Sequence, residues 1–175
     1  MIGGVPAYWR TLDKDSRREA GWAEIYRSFD IISPWTVGRF LNRREADDFI
    51  NNVMSRDIAE VKRYGVEYMP VIFPGYSRYN AANGKEIAFN RILRDCGNFY
   101  SHLAHAEIKT GATMLYTAMF DEVNEGTAIF KVAAHKTGVP VGVSLSTLDD
   151  GNCKMESDGY LKLAGTVTEA LRRAK

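Results

Sequence analysis

Nowhere does this sequence run for about 18 residues without a polar interruption, so no membrane span is expected. Excess charge of either sign is also missing: 23 Lys and Arg stand against 22 Asp and Glu, a net +1. Without a basic field, nucleic acid is not an expected partner. No G-x-G-x-x-G or G-x-x-x-x-G-K-[ST] follows any apolar run, so a nucleotide-binding α/β chain has no support. Cysteine is scarce, with Cys96 and Cys153 the two present. They lie far apart without C-x-x-C spacing and read as a small buried hydrophobe and a loop thiol, not a bridge. Histidine is scarce too, with three residues. His102 and His105 stand at i, i+3, but Glu107 is the one other ligand type near them. The pair therefore reads as a solvated helix face, and no metal or cofactor is expected. The opening "MIGGVPAYWR" has no basic segment leading into an apolar one, so it suggests no signal peptide.

What is present is an alternation of two periodicities over 175 residues, the length of a single domain, 1–175. Residues 2–8 are short and apolar, a first strand. Trp22, Ile25, Tyr26 and Phe29 form the i, i+3, i+4, i+7 stripe of a short amphipathic helix. "DIISPWTVG" is a second strand, broken by Pro34. One long helix follows, with Ala46, Phe49, Ile50, Val53, Met54, Ile58, Val61 and Tyr64 on one face and Gly65 as its stop. "VEYMPVIFPGYS" is a third strand. Ile92, Cys96, Phe99, Tyr100 and Leu103 mark a third helix, ended by Gly111. "ATMLYTAMF" is a fourth strand, near-continuously apolar as if covered on both faces. Residues 132–152 read as loop, with a short strand at 141–145. A last helix spans about 158–173. Repeated strand–helix units imply parallel strands joined by crossovers. A complete (β/α)8 barrel takes about 250 residues. The expected fold is therefore α/β, about four βα units of a TIM-like barrel, with an open four-stranded layer as the other reading.

In such folds function gathers at the carboxyl ends of the strands. Those ends read "YWR", "SPWTVGR", "FPGYSRYN" and "FDEVNEGT". Trp9, Arg10, Trp35, Tyr76 and Asn80 are candidate substrate-binding residues, since aromatic faces beside hydrogen-bonding groups suit sugars. Each also has a plainer reading as mouth-closing core, turn residue or surface ion pair. Glu122 and Glu125 are the candidate catalytic pair. At i, i+3 on a helical turn their Cβ atoms would lie about 5–6 Å apart, and two differently tuned carboxylates are the equipment of glycosidic cleavage. The neighbouring Asp121 is a candidate substrate contact. With Glu122 and Glu125 it could instead hold Ca²⁺ or Mg²⁺, making a metal-dependent hydrolase. The same E-x-x-E spacing also occurs on ordinary solvated helix faces.

Three segments carry a resemblance. "FDEVNEGTAIFK" resembles the FNEWHEGT pattern of glycoside hydrolase family 99 and 71-related proteins, the endo-α-mannosidase/endo-α-mannanase group. "FPGY" resembles that group's G-P-G-Y turn, and "NRILRDCGNFY" its N-R…G-x-[FY]-Y helix. Order and rough spacing agree. "GGVPAYWR" and "ISPWTVGRF" further resemble the bacterial WbsX-like relatives, some labelled xylosidase or arabinosidase. The resemblance implies the C-terminal part of a TIM-like barrel that acts on α-linked oligosaccharides or polysaccharides with retention. It implies that Glu122 is the base at the sugar 2-OH, Glu125 is the acid at the leaving oxygen, and Tyr76 contacts sugar. It also implies a periplasmic or secreted setting. Val123, Asn124 and Asp121 replace the family's Trp, His and Asn, which points to a changed subsite. A four-stranded piece has open edges, so a homo-oligomer or a separate N-terminal barrel half is the expected partner. A catalytically inactive half that binds carbohydrate is the alternative.

Overall fold

A computed structural model describes residues 1–79, 89 and 91–174. Asn80, one of the candidate sugar contacts, and Asn90 of the N-R motif lie outside the described residues. Five parallel strand segments form the centre. β1 (Ile2–Pro6) pairs with β2 (Ile31–Trp35) along its whole length, from Ile2 beside Ile31 to Pro6 beside Trp35. β2 pairs in turn with β3 (Glu67–Tyr68), and β4 (Val71–Ile72) pairs with β5 (Tyr116–Thr117).

The third strand is thus two pieces where the sequence suggested one. Pro70 lies between them and has no N–H to offer a ladder. There the chain changes partners. Met69 N–H still donates to Ile32 O at 2.9 Å, while Pro70 O already accepts from Tyr116 N–H at 2.9 Å. Pro34, expected to break the second strand, lies within it. The β2–β3 register ends at Ile32, so that side of the strand has no ladder for Pro34 to interrupt. The fourth strand is much shorter than its apolar run. Only Tyr116 and Thr117 pair, and both are half-buried, because among the described residues β5 pairs with β4 alone. The expectation of a strand covered on both faces is corrected accordingly, and residues 141–145 form no strand.

The helices follow their stripes more closely. α1 (Gly21–Arg27) buries Tyr26 but leaves Ile25 47% exposed. The long helix comprises α2 (Arg43–Phe49), a π-helical turn (Ile50–Met54) and α3 (Ser55–Tyr64). Asn42 caps its start, accepting from Glu45 N–H at 3.0 Å, and Glu45 returns a carboxylate oxygen to Leu41 N–H at 2.8 Å. α4 (Asn98–Lys109) and α5 (Gly159–Arg173) lie against each other through Tyr100 and Tyr160, whose ring centroids are 6.0 Å apart. Phe40, Phe73 and Phe99 join the helix layer to β4.

Cys96 and Cys153 form a disulfide, contrary to the unpaired thiols expected. Their 57-residue separation conceals that both sit in irregular chain. Asp95, Cys96 and Gly97 all adopt positive φ before α4, and Cys153 lies in the loop leading to α5. The bridge ties that loop to the start of α4. Opening it should cost about 2–4 kcal/mol by releasing the denatured chain, so urea melts with and without reductant should differ by that amount.

Two acids are buried in the core. Asp57 accepts from Arg10 Nε at 2.6 Å, Trp9 Nε1 at 3.1 Å and Tyr68 Oη at 3.4 Å. Burial nevertheless dominates and pushes it up to about 6. Glu107 is 2% exposed with one oxygen unpartnered among the described residues, and burial drives it well above its ordinary value. The unfolded chain releases these protons near pH 4, whereas the folded chain keeps them until higher pH. Stability from both groups therefore falls as pH rises above about 4. Glu107→Gln should flatten that dependence and match or exceed wild-type stability at pH 7, read from thermal melts across pH.

Candidate active site

β5 delivers the acidic segment to the carboxyl edge of the sheet, where the chain makes a closed excursion. Ile129 N–H donates to Met119 O at 3.1 Å and Met119 N–H to Thr127 O at 3.1 Å, so the two legs hold each other. Within the excursion Val123–Glu125 make a single 3-10 turn that ends at Gly126, φ +66. Glu122 and Glu125 stand at the two ends of this turn. Thr127 doubles back onto it: its N–H donates to Glu122 O at 3.2 Å and its hydroxyl to Glu122 Oε2 at 2.8 Å. Thr127 has no exposed surface, so this hydroxyl is a fixed donor to the carboxylate.

Glu125 is fixed from the neighbouring strand. The carboxyl end of β4 runs on through "FPGYS", and Ser77 N–H donates to Glu125 O at 2.7 Å. Gly126 allows this approach. A Cβ there would lie 2.9 Å from Ser146 Oγ and 3.2 Å from Ser77 Cβ, at a φ that disfavours side chains. Tyr76, one residue earlier, is held by reciprocal 3.0 Å backbone bonds with Ile92. Its ring lies over Gly38, where a Cβ would come within 3.2 Å of it.

Tyr76 and Trp35 share a cleft of about 270 Å³ with Arg39, Arg78 and Arg91. Trp35, at the end of β2, is 40% exposed and stands 6.4 Å from the Tyr116 ring. The charges at this edge act on one another. Burial, and then the Glu122 charge, raise Glu125 above the usual carboxylate value, with Arg78 opposing. Tyr76 is raised by its burial and then by Glu125, with Arg78 and Arg91 opposing. Within the cleft neighbourhood, then, one glutamate is pushed toward its protonated form while the other accepts a hydroxyl hydrogen bond.

The candidate residues separate into two groups. Trp35, Tyr76, Glu122 and Glu125 gather along the carboxyl edges of β2, β4 and β5. Trp9 and Arg10 are not among them. Trp9 has no exposed surface, and both turn toward Asp57 on α3, where the buried carboxylate requires donors. They secure the end of β1; Trp9 has no surface to offer a ligand there, while the Arg10 side chain stays partly exposed. Asp121 is exposed, with its carbonyl accepting from Val123 N–H at 2.9 Å. Among the described residues, no group of three or more His, Cys, Asp or Glu is arranged to hold a metal ion. His102 is half-buried, and its ring meets Asp47 at 2.7 Å in the helix layer. Sequence reasoning missed Thr127, Ser77 and Arg91. Thr127 stood inside the "EGT" segment, but nothing in its type distinguished a carboxylate donor from a turn residue.

Gly126→Ala should cost about 2 kcal/mol through the positive φ and the contact with Ser77, measured by urea unfolding. Thr127→Val keeps the shape but removes the donor. It should free the Glu122 carboxylate from its fixed position, read as greater mobility of that side chain in NMR of glutamate-labelled protein.

A comparison with protein-family models finds no match, and one with curated proteins finds none either. Solved structures do match. A GH99 endo-α-mannosidase from Bacteroides thetaiotaomicron aligns over 83% of this chain and 39% of its own, with 18% identity and a TM-score of 0.60. A structure of the GH99 endo-α-mannosidase from that organism in complex with bis-tris-propane aligns over 99% of this chain and 46% of its own, at 18% identity and a TM-score of 0.64. The chain therefore spans less than half the length of the endo-α-mannosidase structures it matches. At this identity the likeness is one of fold: a small α/β arrangement of parallel strands similar to part of a glycoside hydrolase barrel.

Proposed function

We propose that this chain carries the carboxylate pair of a glycoside hydrolase acting on α-linked glycans. One observation supports it most. Two glutamates on one short turn, at the carboxyl edge of a parallel sheet, have different surroundings. Glu125 is pushed toward its neutral form by burial and by Glu122, which suits a proton donor. Glu122 has one carboxylate oxygen held by the Thr127 hydroxyl, which fixes its position as an acceptor and leaves it the part of the base.

In this reading Glu125 gives its proton to the glycosidic oxygen as the bond from that oxygen to C1 breaks. Glu122 takes the proton of the sugar 2-OH, and that oxygen closes on C1 from the opposite face. Glu125, now ionised, takes a proton from the water that opens the resulting 1,2-anhydro ring, so the product retains its configuration. Glu122 returns its proton to O2. Trp35 and Tyr76 supply aromatic surface for the adjoining sugar. The fold likeness to endo-α-mannosidases raises the prior for this chemistry without assigning a sugar or a linkage.

A second reading, carbohydrate binding without turnover, is favoured by the sheet's open sides: β1 and β5 each pair on one side alone among the described residues. Glu122→Gln and Glu125→Gln separate the two. Against a panel of α-linked oligosaccharides each should lower turnover by about 10²–10⁴-fold, while saturation-transfer NMR still detects the bound sugar. Binding by the wild type with no turnover on any panel member would favour the second reading. If turnover is unchanged in both variants, the carboxylate assignment is wrong.

A further inference from the structure

We infer that the cleft beside the carboxylate pair selects glycans bearing an anionic substituent, a uronic carboxylate or a sulfate ester. The inference rests on the glycan-binding part of the proposed function. It does not require turnover.

Three guanidinium side chains, Arg39, Arg78 and Arg91, line a single cleft of about 270 Å³ together with the rings of Trp35 and Tyr76. They come from two strand ends and from the segment that bridges back to Tyr76, so the fold assembles them from separate parts of the chain. Arg39 is committed on one side: its Nη2 lies 2.6 Å from Asp15, and Asp15 in turn accepts from Ala7 N–H at 2.9 Å. Asp15 therefore anchors Arg39 to the β1 loop. Arg78 and Arg91 form no ion pair among the described residues. Both act electrostatically on Tyr76, and Arg78 acts on Glu125 as well.

A plainer role would be to neutralise the two glutamates. The geometry speaks against it. No arginine lies within ion-pair distance of Glu122 or Glu125 among the described residues, and the Glu122 oxygen is held by Thr127 instead. Nor does Arg78 compensate for Glu125, which remains raised. The cleft thus collects positive charge that the protein's own described acids only partly answer. Aromatic faces next to the Arg78 and Arg91 guanidinium forks, which have no ion partner among the described residues, match a sugar ring that carries a planar carboxylate or a sulfate: the ring packs on Trp35 and Tyr76, and the anion takes paired N–H donors. Neutral mannose or glucose would leave those donors to water.

The test measures binding to the Glu125→Gln protein, so that no ligand is consumed. The probes are tetragalacturonate and its carboxyl-reduced counterpart, and α-mannotetraose and its sulfate ester, by isothermal titration calorimetry at low and high salt. At least one anionic member should bind about tenfold or more tighter than its neutral partner, a preference that shrinks in salt. The double variant R78Q/R91Q should reduce that affinity to the level of the neutral probe. R78K/R91K should recover part of it, since charge survives but the fork is lost. Which anionic probe is preferred identifies carboxylate or sulfate. Equal binding of charged and neutral partners, no binding of either anionic probe, or R78Q/R91Q binding like the parent would each overturn the inference. A thermal melt of each variant shows that it is folded. Arginine-dependent binding without hydrolysis by the wild type would defeat the hydrolase reading and leave this one standing.

Discussion

The site depends on one short backbone contact, the 2.7 Å hydrogen bond from Ser77 N–H to the Glu125 carbonyl. The contact extends the β4–β5 pairing beyond the last paired residues, Ile72 and Thr117, and it ties the acidic turn to the strand end that carries Tyr76. It requires Gly126 to have no side chain, because the space a Cβ would need is occupied by Ser77 and Ser146. It also brings Thr127 back beneath Glu122, where a buried hydroxyl can hold one carboxylate oxygen. A turn on a free loop would expose both glutamates alike. Fixed here, the two half-buried glutamates differ in their surroundings: Glu122 accepts from Thr127, while Glu125 is raised by burial and by the Glu122 charge.

Other polar groups at the strand ends serve the fold. Trp9 and Arg10 satisfy Asp57 beneath β1, and Asp15 closes the β1 loop while pairing with Arg39. Behind the site, buried Arg94 donates to Ala128 O at 2.6 Å and stacks 4.7 Å from the Tyr160 ring, whose hydroxyl donates back to Arg94 O at 3.1 Å. That exchange ties the segment just after Thr127 to α5. The Cys96–Cys153 bridge holds the loop before α5 to the start of α4. The acidic turn is therefore braced from the β4 side by Ser77 and from the helix side by Arg94.

Elements carried by periodicity were legible in the sequence. The apolar face from Ala46 to Val61 lies where its spacing puts it, because helix burial follows the 3.6-residue repeat. Strand extent was less legible. The run "ATMLYTAMF" looks like a strand buried on both faces, yet only Tyr116 and Thr117 pair, since pairing needs a neighbour that composition cannot supply. The split at Pro70 was readable in principle from its missing N–H, but not the change of partner that accompanies it. At the site, residue types told one half of the account: Glu122, Glu125, Trp35 and Tyr76 share a sheet edge as expected. Trp9 and Arg10 look identical in sequence to ligand contacts, and only the structure shows that both donate to Asp57 on α3. The disulfide was invisible for a similar reason, because two cysteines 57 residues apart announce nothing until the turns that bring them together are known.

The central claim is that the fold raises Glu125 through burial and the neighbouring Glu122 charge. The most direct measurement is a carboxyl ¹³C NMR titration of glutamate-labelled protein, with Glu125 assigned by comparison with Glu125→Gln and repeated in Glu122→Gln. The account predicts that Glu125 titrates above the ordinary glutamate value and moves down when the Glu122 charge is removed. A Glu125 that titrates at the ordinary value, or does not respond to Glu122→Gln, would contradict it.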